Sequence, residues 1–179
     1  MGSVRQKLRL WSAGCSSGQE AYSLGIISLA GFRNELDSGL DLKILGTDIN
    51  TDAISIAQKG AYPIEALESL RGLKRELYFR REAPPNDGVY QADRRLTQLI
   101  DFRPLNFLQK EYPIATQFDV IMCRNVFYYF DPIPRQQVLE RLSTYLVDGG
   151  WLVLSLTEIG YNIAGLTKVR GGLFQRRAS

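Results

Sequence analysis

The sequence contains no histidine and only two cysteines, Cys15 and Cys123. Without imidazole and without a Cys-x-x-Cys spacing, an ordinary zinc site is excluded, and so is any mechanism that depends on a catalytic histidine. Both cysteines fall where parallel strands are expected to end, so they are read as reduced structural thiols. No apolar run approaches the roughly 20 residues of a membrane helix, and no membrane insertion is expected. Met1-Gly2-Ser3 lacks the charged and apolar regions of a signal peptide, which makes the cytoplasm the default setting.

A strong charge of one sign is also missing. With 22 Lys and Arg against 19 Asp and Glu, the net charge is +3, and the basic residues are scattered rather than interleaved with aromatic ones. No nucleic-acid partner is expected from such a surface. The densest basic group, Lys74, Arg75, Arg80 and Arg81 with Arg94 and Arg95 nearby, is interrupted by acids. It reads as a solvated face or as a docking surface for an acidic partner.

What is present is an ordinary globular composition, 45% hydrophobic and 23% charged. A chain of 179 residues suits one domain that buries roughly 70% of its unfolded surface. Leu8 to Trp11 reads as a strand, Ser12 to Gly18 as a small-residue loop, and Tyr22, Ile26, Ile27 and Ala30 mark one face of a helix. Ser17 and Glu20 are spaced as a capping box that would start this helix. Leu42 to Leu45 predicts a second strand ending at Gly46-Thr47-Asp48, followed by a short helix capped by Asn50 or Thr51 and stopping near Gly60. Two such units in succession predict a parallel sheet.

Between Ala61 and about Arg103 the alternation fails, and this stretch reads as an insertion on the sheet. Phe118 to Cys123 is apolar enough for a central strand. Asp131-Pro132 opens a helix to Leu146, Asp148-Gly149-Gly150 is expected to turn the chain, and Trp151 to Leu156 is the next strand. Leu166 to Arg170, Gly171-Gly172 and Leu173 to Arg177 form a closing antiparallel hairpin.

Ligands of open α/β sheets bind beyond the carboxyl ends of the strands, which points to the loop Ser12 to Gly18. Laid on the dinucleotide fingerprint, that loop has Cys15 at the middle glycine, which disfavours a pyrophosphate ligand. Gly14 permits close backbone approach by another ligand, or simply forms a tight corner with Gly18. Asp48, at the end of the second strand, is placed either to accept from ribose hydroxyls or to make an Asx turn. Glu20 has two readings as well, a capping acid or a partner for the amino group of a bound methionine moiety.

Trp11-Ser12-Ala13-Gly14-Cys15-Ser16-Ser17-Gly18-Gln19-Glu20-Ala21-Tyr22-Ser23 resembles the segment W-S-A-G-C-S-T-G-E-E-P-Y-S of the CheR-type chemotaxis receptor methyltransferases. Thr47-Asp48-Ile49-Asn50-Thr51 resembles their T-D-I-D-T, and Phe118 to Asp131 is similar to F-D-x-I-x-C-R-N-V-x-I-Y-F-D. The resemblance implies a Rossmann-like α/β methyltransferase fold: one domain over 1–179, a mostly parallel sheet with a terminal antiparallel hairpin, and a small inserted β-subdomain at about 61–103. It implies S-adenosylmethionine as cofactor, held by Ala13, Gly14, Glu20, Asp48, Asn106, Phe107, Arg124 and Asn125, with Tyr129 and Arg124 at the chemistry. The implied reaction is methylation of a glutamate carboxylate on a chemoreceptor-like protein, and the implied product is S-adenosylhomocysteine. A noncatalytic cofactor-binding or signalling module, or a methyltransferase for another substrate, are the alternative readings.

The departures are specific. Gln19 and Ala21 replace Glu and Pro of the family loop, and Ser155-Leu156-Thr157-Glu158 stands where G-H-S-E is common. Family members also carry a preceding helical domain with a T-x-F-F-R-D-like segment, which this chain begins too late to contain, so a catalytic arginine is expected to be missing.

Overall fold

A computed structural model describes residues 7–73, 75–83, 88–156 and 160–178, with the side chains of Ser69 and Tyr129 outside that set. The main sheet contains β1 (Lys7–Ala13), β2 (Asp41–Asp48), β6 (Ile100–Pro104), β7 (Phe118–Met122), β8 (Leu146–Val153), β9 (Leu166–Arg170) and β10 (Leu173–Arg176). Their spatial order is β6-β2-β1-β7-β8-β10-β9. The first five in that order are mutually parallel, and β10 runs antiparallel to both β8 and β9, which is the expected closing hairpin. Strand order reverses between β1 and β7, so the sheet is doubly wound with its switch point there. The fold is a Rossmann-like α/β fold closed by an antiparallel hairpin, as expected.

Alternation along β1 divides its side chains between two cores. Leu10 faces the helices α1 (Gln19–Gly31) and α3 (Thr51–Lys59), where it joins Tyr22, Ile26, Ile54 and Ala57. Trp11, fully buried, faces α5 (Pro132–Thr144) with Phe118, Leu139 and Leu142. Its indole N–H donates to Thr47 Oγ1 at 2.9 Å, so its one polar atom is satisfied in the core. Gly46 in β2 is required by close packing, since a Cβ there would lie 2.5 Å from the Phe102 ring.

Between α3 and β6 the chain builds a separate three-stranded antiparallel sheet from β3 (Ala61–Pro63), β4 (Phe79–Arg81) and β5 (Val89–Ala92), in the order β3-β5-β4. A 3₁₀ stretch (Ile64–Leu73) and the short helices α2 (Arg33–Asp37) and α4 (Arg94–Thr97) complete the elements around it. The Tyr62 hydroxyl of this sheet donates to Ser17 O at 2.5 Å, which fixes the first loop from outside the main sheet.

Three local expectations are corrected. The capping box does not form: the N-cap of α1 is Gly18 at φ +97°, and Glu20 turns to Ser12 instead. Asp148-Gly149-Gly150 does not turn the chain, because Gly149 takes φ +75° and Gly150 lies against the carbonyls of Phe118 and Val147, so β8 bulges and stays paired with β7. The stretch expected to be an insertion up to Arg103 ends sooner, since Ile100–Pro104 is β6 and pairs with β2 in the main sheet. In contrast, the expected N-cap at Asn50 is found, with its Oδ1 accepting from the N–H groups of Asp52 and Ala53 at 3.0 and 3.1 Å.

Candidate functional site

The carboxyl ends of β1, β2 and β7 open on one side, at the switch point, onto a cleft of about 450 Å³. That volume falls within the range of roughly 300–1,000 Å³ occupied by small-molecule sites. The loop after β1 is drawn against β2 by Thr47 O, which accepts from the N–H groups of Gly14 and Cys15 at 2.7 and 2.9 Å. Gly14 sits at φ +80°, and a Cβ there would collide with Val126 Cγ2 in the segment after β7. The glycine thus lets the β1 and β7 loops meet at the floor of the cleft.

Cys15 does not obstruct this loop. Its side chain is buried, and its Sγ would be 3.4 Å from a Cβ on Gly46. Burial, with the Asp48 and Glu20 charges nearby, pushes its thiol up to about 12. The steric objection to a pyrophosphate ligand therefore does not hold here, because the side chain points into the core.

Asp48 makes the expected Asx turn and also holds the loop after β1. Its Oδ1 accepts from the Asn50 N–H at 3.0 Å, an Asx turn, and its Oδ2 accepts from the Ser16 N–H at 2.8 Å. A carboxylate offers about four lone-pair sites, so two backbone donors leave capacity for a ligand. Ser16 is itself in the left-handed region at φ +49°, which aims its N–H at the carboxylate. Asp48 is half-buried at the cleft wall.

Glu20 lies beside the cleft rather than in its lining. Its Oε1 accepts from Ser12 Oγ at 2.7 Å, at the end of β1. Burial pushes its carboxyl up from the ordinary value, while the Ser12 hydrogen bond and the Arg124 charge act the other way. Standing in the first turn of α1, it also adjoins the positive end of that helix.

Of the residues expected at the site, Gly14, Asp48, Asn106, Phe107 and Asn125 line the cleft together. Asn125 adopts φ +60°, and its N–H donates to Ser155 Oγ at 2.8 Å, tying the end of β7 to the segment after β8. Asparagine tolerates that backbone region, and strain of this kind clusters at functional sites. Ala13 is fully buried just before the loop and does not line the cleft. Arg124 is exposed and acts on Glu20 electrostatically. Tyr129 belongs to a 3₁₀ turn (Phe127–Tyr129), and its side chain lies outside the described residues.

Sequence reading missed the apolar wall. Ile49 is 67% exposed and Leu108 60% exposed, and both line the cleft. One exposed aliphatic residue is ordinary, but two on one concave surface suit a flat apolar ligand group. The signal was present as Ile49 directly after Asp48 and Leu108 directly after Phe107. A larger cavity of about 620 Å³ lies elsewhere, among Arg9, Lys43, Asp101 and Arg103. Ion pairs from Arg9 to Asp41 and from Arg103 to Asp101 flank it, and it shares no lining residue with the switch-point cleft.

A polar acceptor at the second strand, a glycine floor and an apolar wall fit a nucleoside-type ligand, and the residues present fit an adenosyl group extended by an amino acid. The family comparison decides which ligand this is. Residues 1–162 match the model described as "CheR methyltransferase, SAM binding domain". The chain belongs to the CheR methyltransferase family. Its cofactor is S-adenosylmethionine.

Named relatives of this family agree. The chain is 37% identical over 139 residues to "Chemotaxis protein methyltransferase 2" of Pseudomonas aeruginosa, covering 78% of this chain and 49% of that protein. It is 37% identical over 152 residues to the "Probable chemotaxis protein methyltransferase" of Rhizobium etli, covering 85% and 56%. It is 35% identical over 150 residues to the "Chemotaxis protein methyltransferase" of Escherichia coli, covering 84% and 51%. The chain thus spans about half the length of the curated relatives it matches. Among the described residues no helix is long and apolar enough to cross a membrane, and no cluster of His, Cys, Asp or Glu is placed to hold a metal ion.

Proposed function

We propose that this domain transfers a methyl group from S-adenosylmethionine to a glutamate side-chain carboxylate of a chemoreceptor-like protein in the cytoplasm. The observation that carries the reading is the cleft at the β1/β7 switch point, with Asp48 on its wall, in a chain of the CheR family. The relatives' chemotaxis names support the receptor as substrate.

On this reading Asp48 accepts from the ribose hydroxyls, while Asn106, Phe107 and the apolar wall take the adenine. Gly14 and Glu20 hold the amino-acid end, with Ala13 buried behind them, and Asn125 and Arg124 close the β7 side. Tyr129 is assigned to the transferring methyl by its place in the family motif alone, and Arg124 helps to hold the site. When bound, S-adenosylmethionine supplies an electrophilic methyl group on a sulfonium. A glutamate carboxylate, with an ordinary pKa of about 4.3, is already an ionised nucleophile at neutral pH, so no residue of this chain has to act as a base. The chemistry is therefore compatible with a sequence that lacks histidine. Holding the two reactants in an attack geometry can supply about 7–11 kcal/mol of the barrier, and that is the task left to the cleft.

The test is methyl transfer from radiolabelled S-adenosylmethionine to a soluble chemoreceptor cytoplasmic fragment. Label that is released as methanol by mild base, and absent when the fragment's substrate glutamates are replaced by alanine, is the expected outcome. Base-stable label would assign the methyl to another acceptor.

A further inference from the structure

The wall of the cleft that carries Asn106, Phe107 and Leu108 belongs to residues 105–117, a stretch with neither helix nor strand between β6 and β7. Crossovers between parallel strands usually contain a helix, and structureless loops of this length are uncommon unless they serve a site. Something other than backbone pairing must hold this one in shape.

Two side chains converge on a single atom of it. Phe107 O accepts from the Tyr112 hydroxyl at 2.9 Å and from Arg141 Nη1 at 2.9 Å, using both lone pairs of the carbonyl. Tyr112 comes from the loop itself and Arg141 from α5, so one donor curls the loop and the other ties it to the helix. The donors also brace each other, with Arg141 Cζ 5.5 Å from the centre of the Tyr112 ring. The same ring also stacks with Tyr145, at 5.5 Å between centroids and 22° between planes. Tyr145 OH accepts from the Tyr112 N–H at 3.3 Å. Burial raises the Tyr112 phenol above its ordinary value, which keeps its hydroxyl protonated as a donor. Nearer the cleft, Asn106 Oδ1 accepts from the Leu108 N–H at 2.9 Å, so a pinned Phe107 carries both neighbours with it.

We propose that Tyr112 and Arg141 are positioning residues for the adenine side of the cofactor site: by clamping the Phe107 carbonyl they fix the wall formed by Asn106 to Leu108, and so set affinity for ligands that carry the base. This rests on the cofactor reading given above.

The test compares the unaltered chain with Tyr112→Phe and Arg141→Met in titrations with S-adenosylhomocysteine and with 5′-methylthioadenosine, which carries the base but not the amino acid. Each variant is expected to bind both ligands about tenfold more weakly, the scale of one lost hydrogen bond to a fixed carbonyl. Arg141→Lys should recover part of the loss. Hydrogen exchange at the Leu108 and Gln109 amides should quicken in the unliganded variants while amides of β1 stay protected. Tyr112→Phe keeps the ring and its stacking, so it is the variant least able to act through general unfolding, and its melting temperature checks this. Undiminished affinity for both ligands overturns the proposal, as does a loss confined to S-adenosylhomocysteine, which would place the effect at the amino-acid end. Failure of the folded, unaltered chain to bind either ligand would instead overturn the cofactor reading and the clamp with it.

Discussion

Val126 fills the space that any side chain on Gly14 would need. The contact joins the loop after β1 to the segment after β7 across the switch point of the sheet, and Gly14 adds a left-handed φ of +80° that disfavours other residues. Gly14→Ala is therefore expected to cost about 1–3 kcal/mol of stability, from backbone strain and overpacking together. Val126→Ala in that background should return only the overpacking part. Chemical denaturation of the two single variants and the double variant measures both shares.

The buried carboxylate of Glu20 opposes stability. Its carboxyl is raised above the ordinary value by burial, so the folded state binds a proton more readily than the unfolded state does. For an acid of that kind stability falls as pH rises from its unfolded pKa, about 4.3, through the higher folded one. Glu20→Gln should accordingly be more stable than the unaltered chain at pH 7, with the advantage vanishing below about pH 4. The same variant should bind S-adenosylmethionine less well. Melting curves at several pH values, paired with a titration at pH 7, separate the two effects.

Cys15 and Cys123 are both buried, and the Cys15 thiol is pushed up to about 12. Since the thiolate is the reactive species, the folded chain should be inert to aromatic disulfide reagents at pH 8. Two thiols should react once denaturant is added. Rapid reaction of one thiol in the native chain would place a cysteine at the surface.

Asn50→Ala should cost about 1 kcal/mol, since the side chain caps α3 by accepting from two backbone N–H groups. The Asn50 N–H that binds Asp48 belongs to the backbone and survives the change. Cofactor affinity should therefore be retained, which makes this variant the stability control for the others.

What could be read from the sequence was local. The strand pattern in Leu8 to Trp11, the apolar run in Phe118 to Cys123, the cap at Asn50 and the glycine pair before Leu173 each specify their own segment, and each was found in place. Asp48 and Gly14 were legible as cleft residues because ligand sites of parallel sheets lie at the carboxyl ends of the strands, where both residues stand. Lateral contacts were not legible. Whether Glu20 caps α1 or turns to Ser12 depends on a strand end eight residues earlier, and Gly149 bulges rather than turns because β7 remains available for pairing. The strand Ile100–Pro104 is indistinguishable from the insertion in sequence because only β2, more than 50 residues away, reveals its sheet. The hold of Arg141 on Phe107 spans 34 residues and leaves no periodic trace at all.

The central claim is that the cleft at the β1/β7 switch point holds the cofactor through Asp48. Calorimetric titration with S-adenosylhomocysteine tests it most directly, using the unaltered chain and Asp48→Asn, which keeps an acceptor for one of the two backbone N–H groups. Saturable binding by the unaltered chain, weakened about tenfold or more in Asp48→Asn at unchanged melting temperature, is the expected result. Equal affinity in the two proteins, or no binding by a folded unaltered chain, would contradict it.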